Sequence, residues 1–208
     1  MTPDLRRYLA EMPLVAVLRG VLPENALAVG EVLVEAGFRI LEVPLNSPYP
    51  HKSIRILAEA FGDRALIGAG TVTHLEDVAR IINAEGGLIV MPHLDIAIVA
   101  EAKRKLLACV PGVATPSEAF AALKAGADGL KLFPAQIVSP AAVKALRAVL
   151  PPATILLPVG GITPARMADY FAAGADGFGL GSELFKPSYS IDEIKQRARD
   201  FVVAARRS

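Results

Sequence analysis

One phrase recurs four times along this chain: an amphipathic helical stretch closes on glycine, and a short, mostly apolar run follows. Glu35-Ala36-Gly37-Phe38 leads into Ile40-Leu41-Glu42-Val43-Pro44, and Ala84-Glu85-Gly86-Gly87 into Leu88-Ile89-Val90-Met91-Pro92. Ala125-Gly126-Ala127-Asp128-Gly129 leads into Leu130-Lys131-Leu132-Phe133-Pro134, and Ala173-Gly174-Ala175-Asp176-Gly177 into Phe178-Gly179-Leu180-Gly181. Glycine is the expected C-terminal cap of a helix, and a short apolar run bounded by turn residues reads as a strand buried on both faces.

Between these phrases lie four more candidate strands: Leu14–Arg19, Ala65–Thr71, Leu107–Pro111 and Ile155–Gly160. That makes about eight strands separated by helical stretches, which implies parallel pairing through right-handed crossovers. Helix starts are legible too. Thr73-His74-Leu75-Glu76 and Thr115-Pro116-Ser117-Glu118 read as capping boxes, and Ser139-Pro140 and Thr163-Pro164 as a cap followed by proline. The expectation is an α/β fold in which residues 1–208 form one (β/α)8 TIM barrel. An open doubly wound sheet is the alternative, but the polar residues described below need a common meeting point. At 208 residues the chain is at the small end for a barrel, with 53% apolar residues to fill both faces of a parallel sheet.

Composition narrows the function. A net charge of +1 gives no basic or acidic surplus that would suggest a nucleic-acid or membrane-surface partner. Cys109 is the single cysteine, which excludes an internal disulfide and a cysteine metal cluster. Met1-Thr2-Pro3-Asp4 lacks the start of a signal peptide, and prolines and glycines break the uncharged stretch from Ala148 to Ala165, so the expected compartment is the cytoplasm. His51, His74 and His93 show no metal-pair spacing, and Gly68-Ala69-Gly70-Thr71-Val72 is only part of a dinucleotide fingerprint. No metal and no cofactor are therefore expected.

In a TIM barrel the active site lies at the C-terminal ends of the strands. Lys131 stands there between Leu130 and Leu132-Phe133. A buried ammonium is costly, and desolvation lowers its pKa and frees the amine as a nucleophile. The alternative is a lysine that reaches solvent or pairs with a carboxylate. Glu42, inside another apolar run, is either that ion-pair partner or a proton shuttle. Arg19-Gly20 reads as a carboxylate clamp or as a loop arginine at the surface. The glycine-rich ends Gly160-Gly161 and Gly181-Ser182 follow the last two strands, the usual phosphate site of this fold, although plain tight turns share the same signature. His93 reads as a loop residue near the pocket mouth.

Jointly, Leu18-Arg19-Gly20, Leu41-Glu42-Val43-Pro44-Leu45, Gly68-Ala69-Gly70-Thr71-Val72, Leu130-Lys131-Leu132-Phe133-Pro134 and Val159-Gly160-Gly161 resemble the 2-keto-3-deoxy-6-phosphogluconate aldolase family. The resemblance runs in order from about Pro13 to Phe185. Glu42 to Pro48 and Gly179 to Phe185 look like the phosphogalactonate branch, with Asn46 near a position where gluconate-type members carry arginine. Met91-Pro92-His93-Leu94-Asp95 and Ala135-Gln136-Ile137-Val138 depart from that branch. The resemblance implies a class I aldolase that cleaves a phosphorylated 2-keto-3-deoxy sugar acid to pyruvate and D-glyceraldehyde 3-phosphate without a metal. It implies Lys131 as the Schiff-base lysine and Glu42 as the acid/base. Arg19 and Thr71 would hold the pyruvyl carboxylate region, and Gly160, Gly161, Gly181 and Ser182 would receive the phosphate. It also implies a homotrimer. Three readings compete: the gluconate epimer or a broader 4-hydroxy-2-oxoglutarate aldolase, a phosphate-binding barrel isomerase or epimerase, and a catalytically silent barrel in which Lys131 and Glu42 form an inert ion pair.

Overall fold

The computed structural model describes residues 2–206. Met1, Arg207 and Ser208, at the outer ends of the expected 1–208 unit, lie outside the described residues. The chain opens with helix α1 (Leu5–Glu11) and strand β1 (Leu14–Val17), then α2 (Pro23–Ala36), β2 (Ile40–Pro44), α3 (Pro50–Phe61) and β3 (Leu66–Gly70). Next come α4 (Asp77–Asn83), β4 (Leu88–Val90), α5 (Ile96–Arg104), β5 (Ala108–Val110), β6 (Gly112–Val113) and α6 (Pro116–Lys124). The last third holds β7 (Leu130–Leu132), α7 (Pro140–Val149), β8 (Leu156–Pro158), α8 (Pro164–Ala172), β9 (Phe178–Leu180) and α9 (Ile191–Arg206).

All strand pairs are parallel and run in the order β5-β4-β3-β2-β1-β9 in one sheet and β6-β7-β8 in the other. Strands β5 and β6 are one stave interrupted at Pro111, which has no N–H to donate but whose carbonyl accepts from Lys131 N at 2.9 Å. A bridge between Val159 and Gly179 joins β8 to β9 and closes the ring. The expected eight-stave barrel is thus formed, with β2 at its expected length and the other strands one to three residues shorter than the apolar runs suggested.

Residues that alternate along each strand divide two cores. Outward-facing side chains such as Leu41, Val43, Leu130 and Leu132 pack under the helices, while Val15, Ile40, Leu66, Leu88 and Leu157 fill the barrel interior. Helix α1, which the repeat did not foretell, plugs the lower end of the barrel with Leu5, Tyr8 and Leu9. Burying each such side chain contributes roughly 1.5–3 kcal/mol. The upper end is left to the polar residues.

Helix ends follow the sequence in some places and not in others. Thr115 and Glu118 form the predicted capping box. Thr73 caps nothing: α4 starts at Asp77 behind Glu76, and Thr73 Oγ1 lies 2.9 Å from His74 Nδ1. The reason is tertiary. Val72 is fully buried, and the 74–77 segment turns on itself through the Asp77 N–H donating to the His74 carbonyl, which delays the helix past the box. Thr163 also makes no side-chain cap. After α4 the left-handed residue is Glu85 (φ 62°) rather than the neighbouring Gly86. Among the described residues no helix is long and apolar enough to cross a membrane.

Candidate active site

Alternation alone aims Lys131 and Glu42 at the same place. Leu130 and Leu132 face the helices, so Lys131 between them faces the barrel interior. Ile40 faces the interior, so Glu42, two residues on, does too. Lys131 is 5% exposed and Glu42 1%, and among the described strand residues they are the only buried charged side chains. They border a cavity of about 20 Å³, floored by Leu5, Val90 and Leu157, with room for about one water.

Burial pushes the Glu42 carboxyl up to about 7, against the opposing pull of Lys131 and Arg19. Burial also lowers the Lys131 ammonium from its ordinary value; the field of Glu42 opposes that shift and Arg19 adds to it. No hydrogen bond or ion pair within 4 Å joins the two, and Glu42 Oε2 is buried with no hydrogen-bond partner. Lys131 Nζ lies 4.7 Å from the centroid of the Phe133 ring. An inert pair would close into a hydrogen-bonded contact, because an unpaired buried group is costly. Here the two groups are held apart, each pushed toward its neutral form. That arrangement favours a free amine beside a carboxyl whose proton exchanges near neutral pH.

Gly70 makes this arrangement possible. A Cβ on Gly70 would fall 1.5 Å from Glu42 Oε2, so only glycine leaves space for the carboxylate. The Gly68-Ala69-Gly70 run, set aside above as a partial cofactor motif, was the available signal: glycine inside a strand marks a close approach.

Arg19 and Thr71, both expected near the substrate carboxylate, are in contact. Arg19 Nη2 donates to Thr71 Oγ1 at 3.2 Å, and Nη1 donates to Asn46 Oδ1 at 2.5 Å. Thr71 is held at a φ of 55°, a left-handed conformation that is rare for a β-branched residue and costs about 1–2 kcal/mol. In that conformation its hydroxyl accepts from the guanidinium. Arg19 is exposed, so it sits at the mouth of the site rather than in the buried layer.

The two glycine-rich ends are also neighbours, because the Val159–Gly179 bridge sets β8 beside β9. Gly160 (φ 111°) and Gly161 (φ 62°) turn the chain into α8. A side chain on Gly181 would meet no atom within 4 Å, so that backbone faces open space. Ser182 is exposed, and its carbonyl accepts from the Tyr189 hydroxyl at 3.4 Å. His93 is exposed, with its carbonyl accepting from Gly112 N. Among the described residues no cluster of three or more histidine, cysteine or carboxylate side chains is arranged to hold a metal.

Comparison with known proteins accords with this geometry. The family model described as KDPG and KHG aldolase matches residues 5–199. A 2-dehydro-3-deoxy-6-phosphogalactonate aldolase of Escherichia coli K12 is 42% identical over 200 residues, covering 96% of this chain and 98% of that one. A solved structure described as native KDPGal superimposes with a TM-score of 0.93 at 43% identity, covering 95% and 96% of the two chains. A KDPG aldolase from Legionella pneumophila, solved with pyruvate captured as a covalent carbinolamine intermediate, superimposes with a TM-score of 0.85 at 26% identity over 95% and 97% of the chains.

Proposed function

This chain belongs to the KDPG and KHG aldolase family, and on that premise we propose that it is a class I aldolase that reversibly cleaves 2-dehydro-3-deoxy-6-phosphogalactonate to pyruvate and D-glyceraldehyde 3-phosphate. The observation that carries the mechanism is the pair of buried, unbonded groups Lys131 and Glu42 in an otherwise apolar barrel.

In this reading the neutral Lys131 amine attacks the C2 carbonyl of the substrate to form a carbinolamine. Glu42, protonated near neutral pH, gives its proton to the departing hydroxyl as the iminium forms. The resulting carboxylate then takes the proton of the C4 hydroxyl while the C3–C4 bond breaks and its electron pair moves into the iminium. The aldehyde leaves, C3 of the enamine takes up a proton, and water releases pyruvate and restores the amine. Arg19, steadied by Thr71 and Asn46, stands where it would hold the substrate carboxylate. The backbone of Gly160, Gly161, Gly181 and Ser182 offers the phosphate a site at the start of α8.

The galactonate assignment is supported by the E. coli relative's name and by Asn46 bonded to Arg19 at the mouth of the site. The gluconate epimer is the second reading. A mismatched hydroxyl that leaves a polar group unpaired costs about 1–3 kcal/mol, so kcat/KM for the two epimers is expected to differ by roughly 5- to 150-fold in favour of the galactonate compound. The same reading includes a homotrimer working in the cytoplasm, and sedimentation measures the first part.

Sodium borohydride with pyruvate tests the imine directly. A stable adduct is expected on the Lys131 peptide by mass spectrometry, absent in Lys131→Met. A folded wild-type protein that forms none leaves the barrel isomerase or the silent barrel in place of the aldolase.

A further inference from the structure

Arg166 is a cation that the fold leaves without an anion. It stands in the first turn of α8, the end of the helix where the peptide dipoles disfavour positive charge. Among the described residues no carboxylate lies within ion-pair distance of it. The guanidinium is nonetheless held in place. Nη1 donates to the Gly161 carbonyl at 2.8 Å, Nη2 reaches the Tyr170 hydroxyl at 3.4 Å, and the group lies 5.6 Å from the Tyr170 ring centroid. Tyr170 is itself fully buried, and its hydroxyl is tied to the carbonyls of Ala135 and Val138 at 2.8 and 3.2 Å. A rigid post therefore links the loop after β8 to the loop after β7.

That second loop carries Gln136, whose exposed side chain lies across the two glycines. A Cβ on Gly160 would be 2.8 Å from Gln136 Oε1, and one on Gly161 would be 3.1 Å from Gln136 Nε2 and 3.6 Å from Arg166 Nη1. Among the described residues nothing is hydrogen-bonded to Gln136, which leaves both its amide donors for a ligand, and two bonds leave most of the five guanidinium donors of Arg166 unused.

The geometry points to Arg166 and Gln136 as the side-chain half of the phosphate site, adding a positive charge and a neutral amide donor to the backbone of Gly160 and Gly161. This rests on the reading of the substrate as a phosphorylated sugar acid. A guanidinium presents paired N–H groups to two phosphate oxygens, and the dipole penalty on Arg166 is relieved once the anion arrives. Gln136 contributes a donor without charge; a carboxylate at that position would repel the phosphate.

Two variants test the assignment. In Arg166→Gln and in Gln136→Glu, kcat/KM for the phosphorylated substrate is expected to fall about tenfold or more, mainly through KM. The same acid without its phosphate is expected to lose far less, and Arg166→Lys to recover part of the phosphorylated activity. A phosphorylated-substrate KM within about twofold of wild type in both variants overturns the proposal, as does an equal loss on both substrates, which marks a merely structural role. Inorganic phosphate supplies a readout independent of the chemistry. It is expected to raise the Tm of the wild type and to raise that of the two variants clearly less; equal shifts overturn the proposal. A missing borohydride adduct refutes the aldolase reading, while the phosphate shift still decides the phosphate site.

Discussion

The third and fourth recurring phrases are almost the same structure built twice. Gly126 and Gly174 both take a φ of 98°. The next residue's N–H returns to the preceding helix in each case, Ala127 to Ala122 and Ala175 to Tyr170. Asp128 then accepts from the backbone N–H of Cys109 and from Lys103 Nζ, as Asp176 accepts from Leu156 N and Arg147 Nη2. In both, one carboxylate ties the incoming strand to the neighbouring stave and to the helix that leads into that stave. Three residues beyond the aspartate the likeness ends, with Lys131 in one strand and Gly179 in the other. The repeated residues specify backbone, and the chemistry occupies a position the backbone leaves open: a long cation in β7, and in β9 a bare stretch that leads into the open Gly181.

The sharpest test of that division is Lys131→Met, which removes the charged side chain that the third phrase carries where the fourth has Gly179. Turnover is expected to fall at least about 10³-fold, as when a covalent nucleophile is removed. The fold should survive, because a partly desolvated cation gives way to an apolar chain. Removing its field should also raise the Glu42 midpoint above about 7, as followed by carboxyl NMR. A variant that fails to fold breaks the separation of scaffold from chemistry.

Glu42→Gln comes next, with a loss of about 10²–10⁴-fold in kcat. Its stability effect has the opposite sign. Glu42 titrates at about 7 in the folded protein against 4.5 ordinarily, so its contribution is fully present below pH 4.5 and is lost as pH rises through about 7. At pH 8 the ionised group costs the folded state on the order of 3 kcal/mol. Urea melts should therefore find the glutamine variant more stable than wild type at pH 8 and the advantage gone by pH 4.5. No gain at pH 8 contradicts the burial argument.

The smallest effects concern the shared device. Asp128→Asn is expected to cost roughly 2 kcal/mol, and Asp176→Asn roughly 1 kcal/mol. Asp176 is the more exposed of the two, at 36% against 25%. Arg147 also keeps its bonds to the carbonyls of Thr154 and Gly174 after the substitution. Chemical denaturation measures both, and the reverse order breaks the comparison.

Much of the site was legible because its logic is local. Polar residues inside apolar runs singled out Lys131 and Glu42, and strand alternation turned both inwards. Arg19 and Thr71 were placed through the family resemblance, and the structure brings them into contact. Gly70 was visible as a glycine but not as the space for a carboxylate, since that requires the pairing of β2 with β3, where Pro44 stands opposite Gly70. The capping box at Thr73 failed because burial of Val72 outweighed a cap worth about 1 kcal/mol. Helix α1 gave no repeat signal, since a plug is defined by the opening it fills.

What the sequence determined by itself was the alternation of helix and strand, the parallel sheet that follows from it, and which residues were too polar for their surroundings. Those are properties of neighbours along the chain, set by periodicity and by the cost of burying charge. Only the tertiary structure decided that Lys131 and Glu42 stay unbonded, that Gly70 makes room for the acid, and that Arg166 and Gln136 converge on the same two glycines. Each of these depends on a distance between staves far apart in sequence, which closure of the barrel sets and no local pattern encodes.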